Sequence, residues 1–189
     1  MIHLIGPGGA GKSTVAPSVA ALLGCPAFDL DRAFEAVHGD IDAYIQTHGY
    51  SAYAAANVET YLVHQPRKLA VVALSSGFMM YSEDLHPAIR PLQAAIAAAP
   101  TTVLLLPSLD LETCVAEIVR RQGTRPLRIR RSTEREEVVI RERFARYCRL
   151  TPRVVTTMQP PQDIAREIVV RVTNQADVLS SAPALTNVP

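Results

Sequence analysis

Apolar runs of strand length alternate along the chain with longer stretches in which apolar positions recur at helical spacing. The apolar runs predict five strands, at 2–5, 27–30, 69–74, 102–106 and 154–157. The helical spacing predicts helices at 12–23, 32–38, 41–64 in two pieces, 87–98, 110–121, 134–150 and 161–172. Continuous apolar runs are typical of strands buried on both faces, as in a parallel sheet covered by helices. The alternation therefore predicts a single α/β domain.

The end of the chain differs from the rest. Pro160 and Pro161 precede the last predicted helix, and proline suits a first helical turn because its missing N–H has no partner there. From Asn174 onward the residues are small, polar and interrupted by proline. Residues 1–172 are therefore predicted to form one domain, and 173–189 a flexible C-terminal tail.

Composition narrows the class of protein. With 189 residues, 48% of them hydrophobic, the chain can bury one core, and its net charge of +1 gives no overall attraction to nucleic acid or membranes. The three cysteines are widely spaced and fit neither a disulfide framework nor a zinc site. The start lacks a basic leader, and the longest apolar stretch, 94–106, is broken by Pro100. We expect a cytoplasmic protein with no membrane partner.

Residues 6–14, GPGGAGKST, lie between the first predicted strand and the first predicted helix, and they match the phosphate-binding pattern G-x-x-x-x-G-K-S in that context. Glycines let backbone N–H groups point at phosphate oxygens, and the helix adds the positive end of its dipole. Lysine reaches the β- and γ-phosphates, and the serine hydroxyl binds Mg²⁺. The sequence therefore predicts ATP and Mg²⁺ bound by Gly8, Gly9, Ala10, Gly11, Lys12, Ser13 and Thr14.

Two carboxylates, Asp29 and Asp31, follow the second strand at its carboxyl end, where ligands bind in open α/β sheets. On an extended segment, a spacing of two points both side chains the same way. One could bind Mg²⁺ through water while the other accepts a hydroxyl proton. In the alternative interpretation, Asp31 caps a helix that begins at Arg32, and Asp29 is a turn residue.

Residues 2–35, IHLIGPGGAGKSTVAPSVAALLGCPAFDLDRAFE, resemble the opening of the shikimate kinases, where an Asp-x-Asp follows the second strand. Shorter matches follow in the family's order: VVALSSG (71–77), RRQGTRPL (120–127), RFARY (143–147) and VVTTMQPP (154–161). The resemblance extends over about residues 2–172. It implies a P-loop α/β/α sandwich of the nucleoside-monophosphate-kinase type, with a five-stranded parallel sheet in order 2-3-1-4-5 and a mobile lid at about 122–133.

The resemblance also implies roles for individual residues. Asp31 would hold and activate the acceptor hydroxyl, and Asp29 would help Ser13 to place Mg²⁺. Arg125 would be the lid arginine that closes on the phosphates, acting in catalysis with Lys12 and Asp31. The segments next to the adenine nucleotide would include Arg121 and Pro160. The acceptor would be bound by Asp31, Ser75, Ser76, Gly77 and Arg143.

Two family motifs are altered in this chain. Shikimate kinases carry Phe-Arg-x-x-Glu in the helix before the third strand, and its arginine grips the acceptor carboxylate; the matching segment here is YAAAN, residues 53–57. The family's Gly-Gly-Gly after the third strand is here Ser75-Ser76-Gly77. The serine side chains would fill part of the pocket or offer it hydroxyls. Loss of a charge-assisted contact worth about 1.5–3 kcal/mol would weaken acceptor binding about tenfold or more.

These departures lead to three expectations for function. The first is ATP-dependent phosphorylation of a hydroxyl on a small polyol or cyclitol less acidic than shikimate. The second is that shikimate is still the acceptor, and the third is a degenerate kinase that binds nucleotide without turnover. The partner expected in the first two cases is a small hydroxylated molecule.

Between residues 120 and 153 there are twelve arginines and four glutamates. As a lid, this stretch would bring guanidinium groups to the triphosphate on closure. Most of the arginines are expected on solvated helix faces, paired with Glu134, Glu136, Glu137 and Glu142. A nucleic-acid surface is a minor alternative, since only Phe144 and Tyr147 are interleaved, and no nucleic-acid partner is expected.

Overall fold

Five short strands form one parallel sheet in the order β2-β3-β1-β4-β5. The computed structural model describes residues 1–123, 133–151 and 153–180, without the side chains of 133–136 and 175–180. The strands are β1 (Ile2–Ile5), β2 (Ala27–Asp29), β3 (Val71–Ala73), β4 (Thr102–Leu106) and β5 (Val154–Thr156). Leu4 pairs with Ala73 on one side and Val103 on the other, which makes β1 the centre of the sheet. The predicted strand order is confirmed.

Eight helices and two short 3₁₀ turns are seen among the described residues. The helices are α1 (Lys12–Leu23), α2 (Leu30–His38), α3 (Ile41–His48), α4 (Tyr50–His64), α5 (Ile89–Ala98), α6 (Leu111–Gly123), α7 (Thr133–Leu150) and α8 (Pro161–Ser180). The 3₁₀ turns, Phe78–Met80 and Glu83–Leu85, follow β3. The predicted break within 41–64 falls at Gly49, whose φ is 85°.

Two apolar clusters cover the two faces of the sheet. Successive residues of β1 point to opposite faces, so Leu4 packs with α1 and α8 while Ile5 packs with α2, α4 and α6. Both clusters draw on every second residue of β4, because the strand is buried on both faces. This is the predicted three-layer α/β/α sandwich, and it brings the carboxyl ends of β1, β2 and β3 to one edge.

Most element boundaries differ from the sequence prediction by one or two residues, and two differences bear on the site and on the end of the chain. The second strand ends at Asp29 and α2 begins at Leu30, because the Asp29 carboxylate accepts a hydrogen bond from the backbone N–H of Arg32 and so caps the helix. The last helix continues to Ser180, beyond its predicted end at residue 172. Residues 181–189 lie outside the described part of the chain. No helix among the described residues is long and apolar enough to cross a membrane.

Candidate active site

The loop between β1 and α1 lies against the end of β4. A Cβ added to Gly6, whose φ is 142°, would lie 2.3 Å from the carbonyl oxygen of Leu105. Glycine is therefore required at this position by both the close approach and the backbone conformation. Gly11, with φ 97°, forms the N-cap of α1 and turns the chain into the helix.

The first turn of α1 is open at its amino end. Within the described chain, Gly11 supplies no side-chain cap to α1 and the first turn has no acidic residue. By contrast, Asp29 caps α2 and Asp40 caps α3. Ser13 and Thr14 are exposed beside this end. Uncapped N–H groups at the positive end of a helix dipole fit the oxygens of a phosphate group, as the sequence pattern predicts.

Lys12 folds back over the loop that precedes it. Its side chain is 7% exposed, and Nζ donates hydrogen bonds to the carbonyl oxygens of Gly6 at 2.7 Å and Pro7 at 3.0 Å. An ammonium group held by backbone carbonyls keeps its charge at the centre of the loop. The lysine is therefore oriented by the same turn that presents the backbone N–H groups.

Arg121, near the end of α6, ties the loop to the segment after β5. Its guanidinium donates to the carbonyl oxygen of Gly9 at 3.2 Å and to Oγ1 of Thr157 at 3.0 Å. It also pairs with Glu117 at 2.7 Å. Hydrogen bonds from Arg120 and then Arg121 lower the pKa of Glu117 to about 2. Pro160, predicted to flank the nucleotide, is exposed three residues beyond Thr157.

Ser13 and Asp29 line a cavity of about 130 Å³ between α1 and β2. Mg²⁺ prefers oxygen ligands and keeps several waters, so a hydroxyl and one carboxylate beside a phosphate site fit this ion. The chain thus offers a donor set that fits Mg²⁺.

Asp31 lies in the first turn of α2, so the extended geometry predicted for Asp29 and Asp31 is wrong. The alternative interpretation also changes, because Asp29 and not Asp31 is the helix cap. The Ser75 hydroxyl, at the end of β3, donates to Oδ1 of Asp31 at 2.5 Å. The structure thereby joins two residues that are 44 positions apart in sequence and were both predicted to contact the acceptor.

A second cavity, of about 190 Å³, lies between the P-loop, the segment after β3, and α6 and α7. Its lining comprises Pro7, Gly8, Ser76, Gln122, Val139, Ile140, Arg143 and Tyr147. Among these described residues Arg143 carries the one formal charge. The Tyr147 hydroxyl donates to the carbonyl oxygen of Ser76, and burial raises the pKa of this phenol. Ser76 and Arg143 thus come together beside Gly8.

Tyrosines that the sequence analysis missed surround the segment after β3. Tyr53 is buried, and burial followed by the charge of Asp31 raises the pKa of its phenol. Burial also raises the pKa of Tyr81, with the neighbouring phenol of Tyr53 adding to the effect. Tyr50 reaches the same place, since a Cβ added to Gly77 would lie 2.4 Å from its hydroxyl oxygen.

The altered motif on α4 is buried. Tyr53, Ala54 and Asn57 are 6%, 0% and 0% exposed. Ala54 packs in the core, so the position at which the family carries its carboxylate-binding arginine presents no charge to the acceptor side.

The structure describes part of the arginine-rich stretch, and an ion pair there differs from those predicted. Arg125 and most of the predicted lid lie outside the described residues. Arg141 pairs with Glu112 on α6, with Nη2 2.8 Å from Oε2, and not with one of the four predicted glutamates. Arg120 pairs with Glu117, also on α6. The exposed positions of Arg120 and Arg141 agree with the prediction of solvated helix faces.

Comparison with known proteins agrees with this geometry. The shikimate kinase family model matches residues 8–173. A shikimate kinase of Enterococcus faecalis (strain ATCC 700802 / V583) is 29% identical over 174 residues, which is 89% of this chain and 95% of the relative.

Solved structures share the fold. Shikimate kinase from Acinetobacter baumannii in complex with shikimate has a TM-score of 0.66 and 23% identity, over 97% of this chain and 94% of that one. A gluconokinase from Sinorhizobium meliloti 1021 has a TM-score of 0.57 and 20% identity, over 97% of both chains. Because the family match covers most of its length, the chain belongs to the shikimate kinase family and is an ATP-dependent phosphotransferase acting on a hydroxyl group.

Proposed function

We propose that this kinase phosphorylates a hydroxyl of a small polyol or cyclitol that is less acidic than shikimate. The observation that carries the proposal is Ala54, fully buried at the position where the family has a carboxylate-binding arginine. The segment around it supplies a phenol and an amide, on Tyr53 and Asn57, in place of charges. A phenol and an amide can exchange hydrogen bonds with a hydroxyl but offer a carboxylate no countercharge.

Arg143 is the remaining cation for an acidic acceptor among the residues that line the 190 Å³ cavity. A carboxylate held by one arginine in place of two loses a contact worth about 1.5–3 kcal/mol. That loss corresponds to about tenfold or more in affinity. A neutral polyol loses nothing by the same change, so the selectivity moves towards uncharged acceptors.

The proposed catalytic groups lie at the edge of the sheet where β1, β2 and β3 end. Lys12 and the amides at the start of α1 hold the phosphates of ATP, and Asp31 faces the acceptor as the group that orients its hydroxyl and takes its proton. Mg²⁺, beside Ser13 and Asp29, supplies charge neutralisation of the phosphates. Arg125 remains the proposed lid arginine. Catalysis of this kind depends on positioning and electrostatics more than on covalent chemistry.

Shikimate itself is the second candidate acceptor. The family match and the Enterococcus faecalis relative, named as a shikimate kinase, favour it. The gluconokinase neighbour shows that a kinase named for another acceptor has this fold. The two candidates differ in one chemical property, the charge of the acceptor.

A coupled ADP-release assay over a panel of acceptors tests the proposal. The panel contains shikimate, gluconate, myo-inositol and further neutral cyclitols, with product mass checked by mass spectrometry. We expect a neutral member to give the highest kcat/KM, and Lys12→Ala to abolish the signal. Turnover of shikimate with a KM of about 1 μM to 1 mM, the ordinary range for enzymes, would reject the altered acceptor. ATP binding without product from any member would support a degenerate kinase.

A further inference from the structure

We propose that Ser75 is a positioning residue that orients the carboxylate of Asp31. The inference rests on the proposed function, because it concerns the residue that receives the acceptor proton. It assigns Ser75 a role different from the acceptor contact that the sequence predicts for it.

The contact between Ser75 and Asp31 restrains the terminal torsion of the aspartate, which is intrinsically broad. Ser75 is 4% exposed, and its hydroxyl donates to Oδ1 of Asp31 at 2.5 Å. A glycine at this position, as in the family motif, has no side-chain donor. The serine therefore provides an orienting hydrogen bond that the family motif lacks.

The Ser75 hydroxyl has one proton, which goes to Asp31, so the serine is the donor of this pair. Its surroundings are buried. Tyr53 and Tyr81 are 6% and 4% exposed, and the Tyr81 hydroxyl donates to Oδ1 of Asn57 at 3.1 Å. Nδ2 of Asn57 is buried and has no partner within the described chain. Hydrogen bonds in buried surroundings are strong and costly to leave unmade, so loss of the serine hydroxyl should be felt at Asp31.

Ser75→Ala tests the inference, using the panel acceptor that gives the highest rate. Loss of orientation at the proton acceptor predicts a fall in kcat of about 10- to 100-fold, while KM for ATP and for the acceptor stays within about twofold. Ser82→Ala is the matched control, because Ser82 donates to Asp84 in an exposed serine–aspartate pair. We expect its kcat to equal that of the wild type.

A double variant separates positioning from a general structural role. In an Asp31→Asn background, Ser75→Ala should have little further effect on kcat, because the residue through which the serine acts is already changed. Calorimetric ATP binding, retained in each variant, shows that the fold is intact.

Several results would overturn the inference. These are an unchanged kcat for Ser75→Ala, an effect confined to the acceptor KM, or the same factor lost in the Asp31→Asn background as in the wild type. If the wild type binds ATP but phosphorylates no acceptor, the proposed function fails and this inference with it. Product formation by the wild type, with Ser75→Ala equally active, rejects the inference alone.

Discussion

The loop between β1 and α1, here called the nucleotide end, keeps every residue of the phosphate-binding pattern. In α4 and the segment after β3, here called the acceptor end, the charged residues and two of the three glycines that the family uses for its acceptor are replaced. The loop recognises phosphate through backbone N–H groups, and a Cβ at Gly6 would collide with β4. The acceptor end recognises its ligand through side chains. Side chains can be exchanged while the fold is kept, so acceptor choice can change without loss of phosphoryl transfer.

The largest effect on activity is expected at the nucleotide end. Lys12→Ala removes the buried ammonium group that Gly6 and Pro7 hold, and should lower kcat with every acceptor by about 100- to 1000-fold. Lys68, the second lysine in the chain, is exposed before β3, and Lys68→Ala is the control. Equal activity of the two variants in the ADP-release assay would break the comparison, since the loop would then carry no catalytic charge.

A buried histidine on β1 makes the free energy of unfolding depend on pH. His3 on β1 lies 3.0 Å from the Tyr61 hydroxyl on α4, and burial, with the nearby amino terminus, lowers the pKa of His3 to about 4. The unfolded chain takes up this proton near pH 6.5. The free energy of unfolding should therefore be constant above pH 6.5 and fall by up to about 3 kcal/mol as the pH drops to 4.

Urea unfolding of the wild type and His3→Gln at pH 7.5, 6.0 and 4.5 measures this dependence. His3→Gln should flatten the profile in this range. Glu117, with its pKa lowered to about 2, loses stabilisation only as the pH falls below about 4.5, so it does not interfere. An unchanged slope in His3→Gln would show that another group is responsible.

Gly77→Ala tests how tightly the acceptor end is packed. The added Cβ would lie 2.8 Å from Cε1 of Tyr81, a buried ring, and 2.4 Å from the Tyr50 hydroxyl. Overpacking of this kind should lower the free energy of unfolding by about 1–3 kcal/mol. Gly123→Ala, with no atom within 4 Å in the described chain, is the control. Thermal unfolding that shows no difference between the two would contradict the packing.

Arg121→Ala should weaken the nucleotide end selectively. The guanidinium bonds to Gly9 and Thr157 are charge-assisted, and their loss should raise KM for ATP about tenfold while the acceptor KM stays unchanged. Arg120 shares the same glutamate but is exposed, so Arg120→Ala should change KM for ATP by less than about twofold. A rise in the acceptor KM instead would place Arg121 at the other end.

Much of the fold could be predicted because its signals are local. Each strand of the sheet is a short apolar run, and the loop glycines and Lys12 are contiguous. The start of α2 was misplaced because Asp29 is a competent N-cap two residues before Asp31, the cap considered in the sequence analysis. The end of α8 was placed too early, although residues 173–180 contain neither glycine nor proline and the first later proline is Pro183.

The missed site residues depend on tertiary contacts. Tyr50, Tyr53 and Tyr81 read as ordinary apolar positions of a helix and a loop, and their meeting around Gly77 becomes visible only when α4 packs on the sheet. One signal was available for Tyr53, which occupies the phenylalanine position of the altered family motif. The unpartnered amide of Asn57 had no sequence signal at all.

The central claim is that the acceptor end no longer selects a negative charge. Shikimate and its methyl ester differ in that charge and in one added methyl group. The measurement is competition of equal concentrations of the two for limiting ATP, with both phosphorylated products quantified by mass spectrometry. We predict that the ester is phosphorylated at least as fast as shikimate. A preference for shikimate of about tenfold or more, the value of one carboxylate–arginine contact, would contradict the account.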